Sequence, residues 1–421
     1  MTPQPQAGFP AAGFRLFEDG ATFPPDRLHA AAPGVDTLAA TWGTAVWCPA
    51  GASVHTLLAA LLAARQRALP LLLARPGVTA PPQTPPPQPG FVVALATSGT
   101  TGPAGWIWHD WARLKGRIRL TPAPACWLLS YTPASFAGLQ VILTAALSGV
   151  DLVASGSAET ATVRIQALLR PPPGRAITHA SGTPSFWRTV LLALPRPVAD
   201  SRLRSLTLGG EIADAATLER LAAAFPAARI CHLYASTEAG ALFAVHDGRA
   251  GFPARWLETG VDEVLLRIRN DILEVRSPRG MLKADRRGAP PDPEPATDRL
   301  HADGWLITGD QVRREGDRIV FAGRADTQVN IGGVKICPET VEAALLAVPG
   351  VAEAWVCAHA SPLTGHVLTA QVVPAPGQEP EALRPALRQG LAALPAAARP
   401  RKIVFTAALP ETLSGKKQRR T

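Results

Sequence analysis

Short apolar runs alternate with longer stretches of helical periodicity through the middle of the chain. Apolar runs of about four to eight residues that end at glycine, proline or polar residues predict buried strands, and longer segments with one apolar face predict helices. We therefore expect strands at Phe91–Ala96, Asp151–Ala154, Ala176–His179, Leu203–Leu208 and Arg229–Leu233. We expect helices at Leu139–Leu147, Ala161–Leu169, Pro184–Leu194 and Ala215–Ala224. This alternation predicts an α/β fold in which mixed or parallel sheets are flanked by helices.

The pattern changes after Gly323. Pro338 occupies a position suited to the first turn of a helix, and the acidic residues that follow it favour the positive end of that helix. Beyond it we expect a helix at Pro380–Leu394 and strands at Ala352–Ala358, Val367–Val373 and Lys402–Thr406. These elements predict a small α+β domain, so the expected division of the chain is into residues 1–323 and 324–421.

Two proline-rich runs interrupt the pattern, at residues 75–90 and 284–299. Because proline has no backbone N–H, neither run suits a helix interior or a central strand. We therefore predict a stiff connector at residues 75–90 and a surface loop at residues 284–299.

The composition is that of a globular protein with a basic surface. The chain has 421 residues, is 47% hydrophobic and carries a formal net charge of +9, which allows more than one domain and large buried cores. Apart from a cluster at residues 416–420 the basic residues are scattered, without the interleaved aromatic side chains that base stacking uses. The charge therefore favours attraction for ATP, an acidic substrate or an acidic partner over recognition of nucleic acid.

The cysteines and the apolar segments indicate a cytoplasmic protein. The 5 cysteines are widely spaced and form no CxxC pair, which argues against a disulfide framework or a zinc site and fits a reducing compartment. The N-terminus lacks the basic segment and apolar core of a signal peptide. The most apolar stretch, Leu139–Val150, is shorter than the ~20 residues that a membrane-spanning helix needs. We predict no membrane span.

Residues suited to nucleotide chemistry recur at the ends of predicted strands. The first strand runs into Thr97–Gly102 (TSGTTG), whose glycines and hydroxyls suit a polyphosphate. Leu203–Glu211 ends in a double glycine, against which a flat ring can lie. Tyr234–Glu238 brings a threonine and a glutamate to a strand end, where they can hold a phosphate oxygen and Mg²⁺. Each motif taken alone is also typical of an ordinary turn or surface loop.

Three further segments complete the series. They are Asp303–Asp310 (DGWLITGD), with an aspartate in a predicted tight turn that suits two ribose hydroxyls, Gly323–Lys335, and Pro410–Lys416 (PETLSGK). In this order the segments resemble the core motifs of the adenylate-forming superfamily, which includes acyl- and aryl-CoA synthetases, adenylation domains of peptide synthetases and firefly luciferase. The resemblance extends from Phe91 to the C-terminus. In its shortened N-terminal region the chain resembles ligases of bacterial aryl-polyene and related polyketide-like pathways.

The resemblance implies a fold and a two-step reaction. The fold is a large N-terminal domain, here reduced at its N-terminus, and a small mobile C-terminal domain with a hinge near Asp326. In the reaction a carboxylic acid, aryl or of short to medium acyl length, attacks the α-phosphate of ATP to give acyl-AMP and pyrophosphate. The small domain then rotates. The thiol of CoA, or of the phosphopantetheine arm of an acyl carrier protein, takes the acyl group.

The resemblance also implies roles for individual residues. The ATP phosphates would be bound by Thr97, Ser98, Gly99, Thr100, Thr101 and Gly102. The adenosine would be bound by Gly209, Gly210, Glu211, Tyr234, Asp310 and Arg324, the last contacting ribose or phosphate. The acid pocket would be formed by Phe136, His179, Ser181, Trp187 and Gly209. Thr237 would contact the α-phosphate, and Glu238 would bind Mg²⁺. Lys416 would stabilise the charge that develops around phosphorus.

Two departures from the family pattern bear on function. Gly105 stands where the family's glycine-rich loop usually has a lysine, although His109 falls where a histidine is common. Arg113 and Lys115 are the nearby cations that the sequence offers in its place. The segment before the loop is also shorter than in most members.

The missing lysine supports an alternative function, that of a non-catalytic nucleotide-binding or scaffold protein. The retention of Glu238, Asp310 and Lys416 argues against it. A nucleic-acid binder is a second alternative, which predicts steeply salt-dependent binding.

Overall fold

The computed structural model describes residues 8–76, 78, 80–87, 90–97, 105–155, 161–169, 171–194, 201–286, 299–361 and 365–409. The elements below belong to these residues.

An eight-stranded sheet forms the centre of the large domain. Its six inner strands are parallel and each edge strand is antiparallel to its neighbour. In order across the sheet the strands are Gly240–Val245, Arg229–Ser236, Ser205–Gly209, His179–Gly182, Cys126–Leu129, Asp151–Ala154, Arg15–Glu18 and Ala21–Phe23. Because successive side chains of a strand point to opposite faces, Leu206 and Leu208 enter the core beneath the helices, whereas Ser205 and Thr207 face the other side.

Two more sheets complete the large domain. The six-stranded sheet contains, in order, Lys283–Arg286, Gly105–Asp110, Val92–Ala96, Leu71–Leu73, Gly43–Cys48 and Thr37–Ala40. The five-stranded sheet contains, in order, Phe252–Pro253, Arg318–Arg324, Leu306–Glu315, Ile272–Arg276 and Leu265–Arg269. The predicted surface loop at residues 284–299 is therefore wrong at its start, because residues 284–286 pair with the strand Gly105–Asp110 before the prolines begin.

The helices of the large domain cover the sheets. They are Pro25–Ala31, Val54–Gln66, Trp111–Lys115, Phe136–Ser148, Ala161–Leu169, Pro184–Ala193, Ala215–Ala224 and Trp256–Thr259. The second and fourth of these lie between the eight-stranded and six-stranded sheets, in a core that contains side chains of both. Among the described residues no helix is both long and apolar enough to cross a membrane.

The small domain has its own core. It contains the helices Pro338–Leu346 and Arg384–Leu391, the hairpin Val329–Ile331 and Val334–Ile336, and a sheet of Val351–Ser361, Gly365–Pro374 and Lys402–Phe405. Val341, Leu345, Val356 and Leu387 are fully buried in that core. The prediction of a mixed α/β fold with a large N-terminal and a small C-terminal domain is confirmed.

Two elements differ from prediction by about three residues or more at both ends. The strand expected at Ala176–His179 lies at His179–Gly182, because pairing with parallel strands on both sides outweighs the weak strand propensity of its serine and glycine. The helix expected at Pro380–Leu394 is limited to Arg384–Leu391 after a short 3₁₀ turn, because Pro385 favours the first turn of a helix.

Candidate nucleotide and acid site

A cavity of about 2020 Å³ runs between the two domains and along one face of the eight-stranded sheet. Thirteen of the residues predicted to serve the site or the hinge line it: Thr97, Phe136, His179, Ser181, Gly209, Gly210, Glu211, Tyr234, Thr237, Glu238, Asp310, Arg324 and Asp326. The predicted site residues Ser98–Gly102 and Lys416 lie outside the described residues.

One end of the cavity holds a chain of paired polar side chains. Tyr234 donates its hydroxyl to Asp310 Oδ2 at 2.5 Å, and Arg324 NH1 donates to Asp310 Oδ1 at 3.2 Å. The same guanidinium donates two bonds of 3.0 Å to Asp326. This hydrogen-bonded series of side chains therefore joins the last strand of the large domain to the 3₁₀ turn that leads into the small domain.

The local structure explains how Asp310 reaches this position. It lies inside the strand Leu306–Glu315 and not in the predicted tight turn. Gly309, just before it, has a φ of 77°, a left-handed conformation that glycine adopts at little steric cost. The pairing between this strand and the strand Arg318–Arg324 is irregular just beyond, between Gln311 and Val312.

Burial and ion pairing have opposite effects on the pKa values of the carboxyl groups in this hydrogen-bonded series. Burial raises the pKa of Asp310, and Arg324 opposes that rise. Burial is the largest single influence on Asp326 and opposes its ionisation, but the hydrogen bond and charge of Arg324 together with the charge of Arg299 outweigh it and lower the pKa of that carboxyl. The pKa of Tyr234 is raised well above its usual range by burial first and by Asp310 second, so its hydroxyl stays protonated and able to donate.

The double glycine stands at the carboxyl end of the strand Ser205–Gly209, as predicted. Gly210 has a φ of 84°, which turns the chain away from the sheet. Glu211 then accepts hydrogen bonds from the backbone N–H and the hydroxyl of Ser185, at 3.0 and 2.7 Å. Its carboxylate is therefore held at the first turn of the helix Pro184–Ala193, where the helix dipole favours negative charge.

Thr237 and Glu238 lie in the turn that follows the strand Arg229–Ser236. His109, buried beneath this turn, donates from Nε2 to the backbone carbonyl of Thr237 at 2.7 Å. Burial is the main cause that lowers the pKa of His109 to about 4, so its imidazole is neutral at physiological pH. Met281 N–H donates to the Glu238 carbonyl at 2.7 Å. The turn is thus held from two sides while its side chains line the cavity.

Thr97, at the start of the predicted phosphate loop, is hydrogen-bonded to Gly105. Its backbone N–H donates to the Gly105 carbonyl at 2.8 Å, and its hydroxyl accepts from Gly105 N–H at 2.9 Å. Gly105 is therefore part of a strand end. Neither of the expected replacement cations, Arg113 and Lys115, lines the cavity that the described residues form. Arg113 donates to the carbonyls of Gly280 and Met281 at 2.8 and 3.0 Å, and the Lys115 ammonium lies 5.4 Å from the Trp111 ring centre.

The other end of the cavity is a mixed aromatic and polar channel. One wall is a stripe of the helix Phe136–Ser148, formed by Phe136, Ala137, Gln140, Val141 and Thr144. The facing wall is the side of the sheet opposite the one that carries Leu206 and Leu208, and it is formed by Trp127, His179, Ser181, Thr207 and Cys231. Tyr131, which sequence reasoning missed, donates to the Gly209 carbonyl at 3.4 Å and contacts Ser181 Oγ at 3.4 Å. It lies just past the strand Cys126–Leu129, so a strand-end search would have found it.

Trp187 is not part of this channel. Its indole is fully buried beneath the opposite face of the sheet, against Phe186 and Phe225, and its Nε1 donates to the Thr207 carbonyl at 2.9 Å. The prediction that it lines the acid pocket is corrected, because the helix Pro184–Ala193 turns this position toward the core.

A buried ion cluster joins the two domains close to the cavity. Arg188 is fully surrounded, with 4% of its side chain exposed. Its Nε donates to Glu353 of the small domain at 2.8 Å, its NH1 to Asp214 at 3.1 Å and its NH2 to the Ser185 hydroxyl at 3.0 Å. Nearby, Arg220 donates to the backbone carbonyls of residues 346 and 351 in the small domain. In this arrangement Ser185 connects the junction directly to Glu211.

The described residues contain no group of three or more His, Cys, Asp or Glu side chains placed to hold a metal ion. Glu238 lines the cavity as a single carboxylate. This fits Mg²⁺, which is commonly held by one or two carboxylates together with phosphate oxygens and water.

Comparison with known proteins assigns the family. The model of the AMP-binding enzyme family matches residues 51–267, and that of the AMP-binding enzyme C-terminal domain matches residues 340–416. The chain belongs to the AMP-binding enzyme family, within the adenylate-forming superfamily that its motifs resemble.

Curated relatives match over short segments. The human mitochondrial acyl-coenzyme A synthetase ACSM2B is 35% identical over 132 residues, which are 30% of this chain and 23% of that protein. An acetyl-coenzyme A synthetase of Rubrobacter xylanophilus is 40% identical over 117 residues, which are 27% of this chain and 18% of that protein. The matched segments thus span less than a quarter of these relatives.

Solved structures match over nearly the whole fold. An ATP-bound RpMatB-BxBclM chimera superposes with a TM-score of 0.73 at 18% identity, covering 96% of this chain and 93% of that one. The anthranilate CoA ligase AuaEII in complex with anthranoyl-AMP gives a TM-score of 0.70 at 17% identity, covering 96% and 92%. At these identities the likeness concerns the fold.

Proposed function

We propose that the protein is an AMP-forming acid–thiol ligase that uses ATP to activate an aryl acid or an acyl acid of short to medium length. The observation that carries this proposal is the continuity of the cavity. It joins the Tyr234–Asp310–Arg324 series, suited to a nucleoside, to the mixed aromatic and polar channel, which suits a small acid. Thr237 and Glu238 lie on the same cavity wall, where the two substrates would meet.

The first step would join the acid to the nucleotide. A carboxylate oxygen of the acid attacks the α-phosphorus of ATP, the bond to the bridging oxygen breaks, and pyrophosphate leaves with the electron pair. Thr237 donates a hydrogen bond to an α-phosphate oxygen, and Asp310 accepts from the ribose hydroxyls. Glu238 would hold Mg²⁺, which neutralises phosphate charge when bound.

Lys416 is proposed to stabilise the transition state of this step. Negative charge develops on the oxygens around phosphorus as the carboxylate attacks, and a fixed ammonium interacts more strongly with that charge than with the ground state. In the second step the small domain rotates near Asp326 and a thiolate sulfur attacks the acyl carbon, so that AMP leaves as the thioester forms.

The thiol acceptor is proposed to be CoA or the phosphopantetheine arm of an acyl carrier protein. Both are anionic, and the net charge of +9 favours their approach. The channel supports an acid of limited length, since aromatic groups such as Phe136 alternate with hydroxyl and thiol groups such as Ser181, Thr207 and Cys231. A long alkyl chain would exclude water from those polar groups and offer them no hydrogen bond beyond the ones they make inside the protein, at 3.3 Å between Thr207 and Cys231 and 3.4 Å between Ser181 and Tyr131.

Acid-dependent exchange of pyrophosphate into ATP tests the proposal. The unaltered chain is expected to catalyse exchange with at least one member of a panel of aryl and aliphatic acids. Lys416→Ala is expected to lose exchange by about two orders of magnitude or more, a loss of roughly 3 kcal/mol of transition-state stabilisation, while still binding ATP. Lys417→Ala is the matched control and is expected to retain exchange.

The same assay separates the alternative function. ATP binding without exchange across the whole panel would support a non-catalytic nucleotide-binding protein. Normal exchange by Lys416→Ala would show that this lysine does not act in the first step.

A further inference from the structure

The cavity contains a cation that no motif predicts. Arg75 follows the strand Leu71–Leu73 and lines the cavity together with Thr97. It stands in the proline-rich run that the sequence analysis interpreted as a connector.

The strand register places Arg75 beside Thr97. Leu71–Leu73 pairs in parallel with Val92–Ala96, with Leu73 opposite Leu95. Continuing that register by two residues sets Arg75 opposite Thr97, about 5 Å away across the two strands.

Side-chain alternation places both residues on the same face of the sheet. Leu71, Leu73, Val93 and Leu95 belong to the core shared with the helix Phe136–Ser148, whereas the intervening side chains belong to a separate cluster on the opposite face. Arg75 and Thr97 continue the first set, because the side-chain period of a strand is two. Both therefore emerge at the carboxyl edge of the sheet, on the side of the cavity.

The guanidinium has no anionic partner among the described residues. No ion pair or side-chain hydrogen bond of those residues involves it, and burial is the one cause that lowers its pKa. Removing a cation from water without a counter-charge is unfavourable. Arginine also presents several donors in a planar fork that matches phosphate oxygens.

We propose that Arg75 binds the β- and γ-phosphates of ATP and the pyrophosphate product, supplying the positive charge that Gly105 does not. This inference rests on the proposed function. The cationic side chain that binds the phosphates would then come from a neighbouring strand end and not from the glycine-rich loop.

Nucleotide titration of the full-length chain tests the inference, with ATP, inorganic pyrophosphate and AMP as probes. Arg75→Gln is expected to weaken ATP and pyrophosphate about tenfold to a hundredfold, because one charge-assisted contact is lost. The affinity for AMP, which lacks both distal phosphates, is expected to change less than about twofold by the same reasoning. Arg75→Lys keeps the charge but not the planar fork. Its affinities for ATP and pyrophosphate are expected to lie between those of the unaltered chain and those of Arg75→Gln.

Arg204→Gln is the matched control. Arg204 is exposed, directly precedes the strand Ser205–Gly209 and does not line the cavity. The affinities of Arg204→Gln for ATP, pyrophosphate and AMP are therefore expected to equal those of the unaltered chain. Equal losses for ATP and AMP in Arg75→Gln would assign the residue a structural role and overturn the inference. Unchanged ATP affinity would overturn it as well. Absence of ATP binding by the unaltered chain would overturn the proposed function and this inference together.

Discussion

Two arginines beside the cavity stand in opposite electrostatic situations. Arg188, at the domain junction, is surrounded by the carboxylates of Asp214 and Glu353 and by a serine hydroxyl. Arg75, on the cavity wall, has no carboxylate partner among the described residues. Both side chains are partly or fully removed from water, but Arg188 has a set of hydrogen-bond and ion-pair partners inside the protein.

The difference separates charges that hold the fold from charges that await a ligand. A buried cation with two carboxylates is already compensated, so removing it leaves those carboxylates buried without their ion-pair partner, with the charge of Arg220 nearby. A partly buried cation without a partner lowers stability until an anion arrives, and its removal relieves that penalty. Substitution of the two residues should therefore have opposite effects on stability.

The largest expected effect is on the junction. Arg188→Met is expected to lower the free energy of unfolding by about 3–5 kcal/mol, because it leaves Asp214 and Glu353 uncompensated. Arg75→Met, which keeps an apolar stem of similar length, is expected to leave that free energy unchanged or to raise it slightly. Urea denaturation of both variants beside the unaltered chain measures the two changes.

Ligand addition should sharpen the contrast. A saturating concentration of ATP is expected to raise the unfolding free energy of the unaltered chain more than that of Arg75→Met, because the variant binds ATP more weakly. A loss of stability in Arg75→Met as large as that in Arg188→Met would contradict the comparison.

His109 is buried in its neutral form and so needs no counter-charge, unlike Arg188 and Arg75. We expect its effect on the free energy of unfolding to be smaller than that of Arg188. Its pKa is about 4 in the folded chain, against an ordinary value of 6.5. The unfolded chain therefore binds more protons between these values, so the contribution of His109 to stability is complete above pH 6.5 and is lost as the pH falls toward 4. The loss should reach about 3 kcal/mol.

The matched variant for this test is His109→Gln, which keeps an N–H donor for the Thr237 carbonyl without a titrating ring. Its unfolding free energy is expected to fall less steeply from pH 6.5 to 4 than that of the unaltered chain. Parallel pH profiles would show that His109 does not titrate in this range.

Much of the fold and of the cavity wall could be predicted from sequence, for one physical reason. The predicted nucleotide residues follow short apolar runs, and the carboxyl ends of parallel strands meet at one edge of a sheet. Glu211 and Thr237 are brought together in this way although they are far apart in sequence. Their roles in binding remain predictions.

What the sequence did not indicate depends on tertiary structure. Arg75 was missed because prolines dominate its surroundings, and strand register alone places it opposite Thr97. Trp187 faces the core and not the pocket because of the orientation of its helix, which the sequence around an aromatic residue after a strand does not indicate. The Arg188–Glu353 pair joins residues 165 positions apart, a separation at which one sequence gives no signal.

The smallest expected effect concerns that pair alone. Glu353→Gln removes one of the two carboxylates of Arg188 and leaves Asp214 in place, so the cation remains partly compensated. We expect the unfolding free energy to fall by about 2 kcal/mol, the scale of one hydrogen bond to a charged group. Glu381→Gln, in an exposed carboxylate of the same domain, is the control and should cause no measurable change. If Glu353→Gln lowered the unfolding free energy as much as Arg188→Met, Asp214 would contribute little and the effect of Arg188 would depend on its contact with Glu353.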